Sequence, residues 1–425
     1  MDKPEITEGS LLRIKITCRF LVIDSSTIIE NGGVIISDGV IGKIGPLEEL
    51  KREKAGKTIH LNSHILHPGF VNAHSHLELS FLKGKIKPKS SFASWVRALV
   101  DQRGKTPVEE VEESISRGIN RLLETGTTCV GDITATGLVS KLLHRSGIRA
   151  TMFHETLGYP PEVATDRFNE LVERIASAPV SRLITNALSP HAVYSTSLKL
   201  MAKSFDYARG RNLPVSMHLC ETREEILFSR FGKGPLKKML KDLGVFGSGN
   251  YPGVAPLYLV HKAGGLQGLL VAHCNHPAYG DLARLKRANA KIVISPGSGQ
   301  WFGRGISAPV YDILDRQITL ALGTDSLASN RDLDMAAEAR GLIRYFPAIT
   351  GAMAFHIATQ GGARALSLPE GSGTLRAGAW FDAVAVRIDS AKRIDPVKAI
   401  MSRKRIIDRV WVEGTIRYRN REVGR

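Results

Sequence analysis

HPGFVNAHSH, residues 67–76, is an apolar stretch that ends on two imidazoles. His74 and His76 stand two residues apart, so on an extended strand both side chains leave the same face. The pattern is weak alone. At the end of an apolar strand it carries weight, because buried ionisable groups cost free energy that a metal or a proton transfer can offset.

Seven further apolar segments follow: TTCVGDIT (127–134), RATMFHETL (149–157), LITNALSPHA (183–192), PVSMHLC (214–220), GLLVAHC (268–274), KIVISPGS (291–298) and ITLALGTDS (318–326). Helix-like stretches separate most of them, for example VEEVEESISRGINRLLE (108–124) and HPAYGDLARLKRANA (276–290). Eight strands alternating with helices predict an α/β fold, a (β/α)8 TIM-like barrel. Residues 230–268 are too rich in Gly and Pro for one helix and read as an insertion. Active sites of such barrels form at the C-terminal strand ends. Here those ends carry His74, His76, Glu155, His191, His218, His273 and Asp325. Imidazoles with a carboxylate suit Zn²⁺, Fe²⁺ or Mn²⁺.

Outside the barrel both termini are strand-like. RIKITCRFLVI (13–23) is apolar, and VIISDGVIGKIG (34–45) is two strands around the turn pair Asp38-Gly39. AWFDAVAVRI (379–388) and RVWVEGTIRYR (409–419) read the same way. Residues 1–66 with 370–425 are expected to form a small β-sandwich domain, and 67–369 the barrel.

Composition narrows the class. Of 425 residues, 43% are hydrophobic and 23% charged, which is ample for a large folded core. No apolar run reaches the roughly 18 residues of a membrane span, so no membrane partner is expected. The first residues show no apolar core with a cleavage site, and a cytoplasmic location is the default. Cys18, Cys129, Cys220 and Cys274 are scattered, which argues against a disulfide framework or a cysteine zinc site. The net charge of +17 fits a nucleic-acid partner, but the basic residues are spread along the chain and no binding signature accompanies them. The densest basic stretch is Lys83, Lys85, Lys87 and Lys89, followed by Arg97, Arg103 and Lys105, and it suits a small anionic substrate instead. A homodimer stays open.

HPGFVNAHSH, SPHAVYS (189–195), HLCET (218–222), VAHC (271–274) and LGTDSLASN (322–330), in this order, resemble the aminohydrolase branch of the amidohydrolase superfamily. The resemblance spans nearly the whole chain, including GSGTLRAGAWFDAVAV (371–386), similar to the family's return into its small β-domain. It implies one divalent ion on His74, His76, His218 and Asp325. It makes Asp325 the acceptor of a proton from the attacking water and Glu221 the proton donor to a substrate ring nitrogen. His273 would sit beside the water or leaving group, and His191 would contact the substrate. Binuclear relatives carry a bridging lysine at the end of strand four, which LITNALSPHAVY lacks, so a single ion is expected. His76-Leu77-Glu78 matches the H-x-E of cytidine deaminases, but no PCxxC accompanies it.

Other interpretations attach to single residues. Glu221 also fits a helix start, where a carboxylate favours the dipole. Glu155 also fits a core ion pair, and His191 a polar turn. Asn72 and Asn330 read as structural hydrogen-bonders, His261 and His276 as surface residues, and His154 as facing away from Glu155.

SFASWV (91–96) resembles the substrate loop of aminofutalosine deaminases, which remove the purine amine of a benzoate-bearing nucleoside in menaquinone synthesis. Phe92 and Trp95 are therefore expected to contact substrate, although their i, i+3 spacing also fits helix packing. SPGSGQWFGRG (295–305) departs from the family's CPxSN, with Gly299 in the place of asparagine. The expected activity is hydrolytic deamination of an aminated purine nucleoside, aminofutalosine-like. The alternatives are an S-adenosylhomocysteine/methylthioadenosine deaminase, a triazine- or guanine-type aminohydrolase, and a non-catalytic binding protein on the same barrel.

Overall fold

The computed structural model describes residues 13–88, 91–246, 253–389 and 393–420; Lys89 lies outside them. Among the described residues, those up to Gly69 with those from Glu370 onward make one compact unit, and Phe70–Pro369 make a second.

The smaller unit is one sheet of seven strands: β1 (Ile14–Val22), β2 (Ile28–Ser37), β3 (Val40–Pro46), β4 (Lys57–Pro68), β13 (Ala383–Arg387), β14 (Ile406–Val412) and β15 (Thr415–Arg419). Their order is β15-β14-β13-β4-β1-β2-β3. Asp38 and Gly39 both have positive φ, which closes the β2–β3 hairpin with the twist such turns favour. The sheet bends round until its ends meet: a Cβ on Gly414 would lie 2.8 Å from Gly39 Cα. Ile16, Ile36, Leu66, Phe381 and Trp411 thereby share one buried core, two layers made from a single sheet. β4 has no separate signal in the sequence. It runs through His67 and Pro68 and pairs with both β1 and β13, so HPGF is divided between the units.

The larger unit holds β5 (Phe70–Ser75), β6 (Thr127–Thr134), β7 (Arg149–Thr156), β8 (Ile184–Pro190), β9 (Ser216–Leu219), β10 (Leu270–His273), β11 (Lys291–Ile294) and β12 (Thr319–Leu322). β5 to β8 form one parallel sheet and β9 to β12 another. Parallel bridges Leu188↔Val215 and Ser75↔Asp325 join the two sheets into a closed barrel in chain order. Its interior is filled by small and β-branched side chains such as Val71, Ala73, Ile133, Ala187, Ala272 and Val293. Between β9 and β10, among the described residues, lie three short helices, Arg223–Phe231, Pro235–Asp242 and Pro256–Lys262. Gly232 and Gly234 at positive φ, with Pro235 and Pro256, end and restart them. Among the described residues no helix is long and apolar enough to cross a membrane.

Candidate metal centre and active site

The bridge between Ser75 and Asp325 draws the ends of β5 and β12 together, and Asp325 N–H donates to His74 O at 3.0 Å. His76 Nε2 then lies 3.3 Å from His74 Nε2 and 3.2 Å from His218 Nε2. Asp325 Oδ1 is 3.9 Å from His74 Nε2 and 3.7 Å from His76 Nε2. Burial pushes His74 and His76 down to about 3 and His218 well below its usual value, so all three rings are neutral at pH 7. Converging lone pairs without a proton between them repel. A divalent ion at about 2.0–2.1 Å from each nitrogen gives tetrahedral edges of about 3.3 Å, which matches the two nitrogen–nitrogen spacings, while Asp325 Oδ1 stands wider. The donor set therefore fits such an ion. His218 Nδ1 lies 3.3 Å from His191 O, a contact that leaves Nε2 free as a ligand.

Asp325 is held by its neighbours. Its Oδ2 accepts from Ser298 Oγ at 2.8 Å and Ser329 Oγ at 2.9 Å, and its Oδ1 from Ser326 N–H at 2.8 Å. Burial pulls its pKa upward, but the surrounding imidazoles and Ser298 outweigh this and hold it at about 2. Asn72 locks the preceding residue, donating to Thr324 Oγ1 at 2.7 Å and accepting from Thr324 N–H at 3.1 Å. Asn330 donates to Thr324 O and to Glu338, so both asparagines are structural. Cys220, His273, Cys274 and Asp325 all adopt positive φ, a costly conformation gathered at the ends of β9, β10 and β12.

Glu221 is not a helix-start residue. The helix begins at Arg223 with Thr222 as N-cap, and Glu225 accepts from the backbone N–H of Cys220 at 3.1 Å and Glu221 at 2.7 Å. The Glu221 side chain is left facing the barrel mouth, 4.0 Å from His273 Nε2. Burial raises it to about 8, opposed by Arg304 and reinforced by Asp325. It therefore keeps its proton at neutral pH.

These groups open into a cavity of about 160 Å³. Glu155 lines it, with burial raising its pKa to about 7 and Oε1 buried without a hydrogen-bond partner. His191 lines it too, its Nε2 3.9 Å from that oxygen. Phe92 and Trp95 stack at 5.6 Å and form another wall, so the helix Phe92–Arg103 both packs on the barrel and faces the cavity. His154 turns away to Asn186, at 2.9 Å.

Of the basic stretch expected near the substrate, the lysines and Arg97 that are described sit elsewhere. Lys85 pairs with Glu110 at 2.6 Å, Lys83 and Lys87 are exposed, and Arg97 lies between Asp101 and Asp242. Arg103, a member of the same stretch, does line the cavity, with its side chain 38% exposed and 3.8 Å from Glu78. Glu78 is buried and bound to the turn after β6 through Thr134, Ala135 and Thr136. Arg103 stands eleven residues after Phe92, about three helical turns, and that spacing was its signal in the sequence. Tyr194 and Phe302 complete the aromatic lining and had no such signal. His261 is exposed as expected, whereas His276 is half-buried and lines an adjoining cleft with Arg304, because its N–H is tied to Cys220 O at 2.9 Å.

Gly299 has a steric reason. A Cβ there would lie 2.1 Å from Gly305 O, and its carbonyl accepts from Arg304 and Gly305 N–H at 2.9 and 3.1 Å. The tight turn sets the Arg304 guanidinium 4.0 Å over the Phe302 ring.

A family model described as the amidohydrolase family matches residues 65–417. A 5-methylthioadenosine/S-adenosylhomocysteine deaminase of Syntrophobacter fumaroxidans is 27% identical over 373 residues, covering 84% of this chain and 80% of its own length. The solved structure of Helicobacter pylori aminofutalosine deaminase with methylthio-coformycin superposes with a TM-score of 0.84 at 21% identity, covering 95% of this chain and 99% of that one. An adenosine deaminase from Xanthomonas campestris with bound zinc gives 0.80 at 22% identity, covering 95% and 92%. At these identities the structural likeness concerns the fold.

Proposed function

The chain belongs to the amidohydrolase family, and from that premise we propose that it is a metal-dependent hydrolase that removes the six-amine of a purine nucleoside. The observation that carries this is that Glu221 lines the same cavity as His76, His218 and Asp325, with His74 Nε2 3.3 Å from His76 Nε2. Those four residues would hold one ion, zinc by preference over iron or manganese. When bound, the ion supplies a Lewis acid that makes a water nucleophilic near neutral pH.

The chain's own residues do the rest. Asp325, ionised and oriented by Ser298 and Ser329, takes the proton of the attacking water. Attack at the six-carbon builds negative charge on the adjacent ring nitrogen, and Glu221 relieves it by donating its proton. His273, beside Glu221, orients the water; Asp325 then returns its proton to the amine, which leaves as ammonia while the new hydroxyl gives its proton back to Glu221. The remainder of the cavity lining, which includes Glu155, His191 and Arg103, would take the sugar side of the nucleoside. Glu155, which lines the cavity, would bond a sugar hydroxyl. Arg103 at that wall suits a carboxylate at the far end of the nucleoside, with Phe92 and Trp95 flanking it. An aminofutalosine-like substrate fits this best. A methylthioadenosine or S-adenosylhomocysteine substrate is the second reading, favoured by the names of the sequence relatives.

Arg103→Ala tests the substrate. A charge-assisted contact is worth about 10–150-fold in selectivity. kcat/KM for aminodeoxyfutalosine should fall by that order, at least tenfold more than kcat/KM for methylthioadenosine. An equal fall for both would remove Arg103 as the reader of the distal carboxylate. The pH dependence tests Glu221. Its acid form is present below about 8 and is lost as pH rises through that value, so kcat should decline on the alkaline side. A rate still rising at pH 9.5 would contradict this.

A further inference from the structure

The helix Phe92–Arg103 supplies one wall of the cavity, and its N-terminus is held by a carboxylate from another element. Glu224 Oε1 accepts from Phe92 N–H at 2.8 Å, and Glu224 Oε2 from Ala93 N–H at 3.0 Å. Ser91 Oγ accepts from Ser94 N–H at 3.1 Å, and Ser91 O from Trp95 N–H at 3.2 Å. Trp95 N–H thus makes the helix's first internal bond, and of the amides ahead of it that have no internal partner, Glu224 takes two and Ser91 Oγ one. A carboxylate on two such amides is also favoured by the helix dipole.

Glu224 belongs to the stretch Glu221-Thr222-Arg223-Glu224-Glu225, in which each polar residue but Arg223 has a separate contact. Glu221 faces the cavity, Thr222 caps the next helix, Glu225 holds the Cys220 and Glu221 amides, and Glu224 reaches across to Phe92. Elsewhere the wall helix is held by packing of Phe92 and Trp95 against Tyr194 and Phe302, by Arg97 3.8 Å from Asp242, and by weaker polar contacts. Trp95 Nε1 donates to Ala328 O at 3.4 Å, Arg103 stands 3.8 Å from Glu78, and Val100 is exposed.

We propose that Glu224 is a positioning residue that latches the Phe92–Trp95 wall to the loop carrying Glu221. The substrate-contacting aromatic wall and the proton donor are thereby ordered as one unit. Loss of the latch frees the wall and weakens substrate binding, while Glu221, separately fixed through Glu225, keeps its place. The kinetic part of this proposal rests on the deaminase reading; the latch itself does not.

The test uses the full-length, metal-loaded protein as wild type, Glu224→Gln and Glu224→Ala. Glutamine preserves volume and one acceptor oxygen but removes the charge and the second acceptor. Hydrogen exchange resolved by peptide should quicken about tenfold or more across residues 92–94 in Glu224→Ala, and less in Glu224→Gln. Exchange in β12 should not change. KM for the best nucleoside substrate should rise by a similar factor, with kcat within roughly threefold. Unchanged exchange at 92–94 would overturn the latch, as would an equal rise in β12, which marks general destabilisation. A fall in kcat with KM unchanged would overturn its assignment to the substrate wall. If the wild type releases no ammonia from any nucleoside, the deaminase reading fails while the exchange comparison still decides the latch.

Discussion

Glu221→Gln should lower kcat by about 10²–10⁴-fold, the usual contribution of a general acid, while the protein keeps its full complement of metal. The substitution is nearly isosteric and leaves His74, His76, His218 and Asp325 in place. What it removes is a transferable proton that burial holds on the carboxyl up to about pH 8. The backbone at Glu221 is fixed by the Glu225 carboxylate and not by its own side chain, so the loop should survive the change. Metal content by elemental analysis and kcat by ammonia release are the two measurements. A variant that turns over within a few-fold of wild type would remove Glu221 from the proton route.

The second large effect is on the metal. Wild-type protein should carry one divalent ion per chain, and chelation should abolish turnover until the ion is restored. His218→Ala should lose the ion under dialysis that wild type withstands. Replacing outer-shell partners of metal ligands typically costs about 10–100-fold in affinity or activity, and loss of a ligand itself should exceed that. Ser298→Ala, which removes one hydrogen bond to Asp325, belongs in the lower range. His261→Ala, on an exposed side chain, should retain the ion. Two ions per chain, both needed for activity, would contradict the single site.

Much of this architecture was legible because a barrel strand writes a local signal. Each of the eight strands is a short apolar run, and the polar residue that ends it stands out against that run. His74, His218 and Asp325 were visible for this reason, and the Asp38-Gly39 turn because few residues accept its dihedral angles. β4 fell within the strand-like first 66 residues, but its end at Pro68 and its place between β1 and β13 depend on partners remote in sequence. Most of the basic stretch was misplaced for a related reason, Arg103 excepted. Lys83, Lys85 and Lys87 are dense in sequence, but charge density does not say which way a side chain points, and Lys85 is taken by Glu110. Arg103 could be placed only once the helix phase from Phe92 was known. Glu224 and Gly299 had no local signal of role, since each acts on backbone that the fold brings from elsewhere.

Ammonia release by the zinc-reconstituted protein, measured as kcat/KM across aminodeoxyfutalosine, S-adenosylhomocysteine, methylthioadenosine, adenosine and guanine, tests the central claim most directly. The account predicts chelator-sensitive deamination of the aminated nucleosides, fastest for the one bearing a distal benzoate. Absence of ammonia from all of them, or release that survives complete removal of the metal, would contradict it.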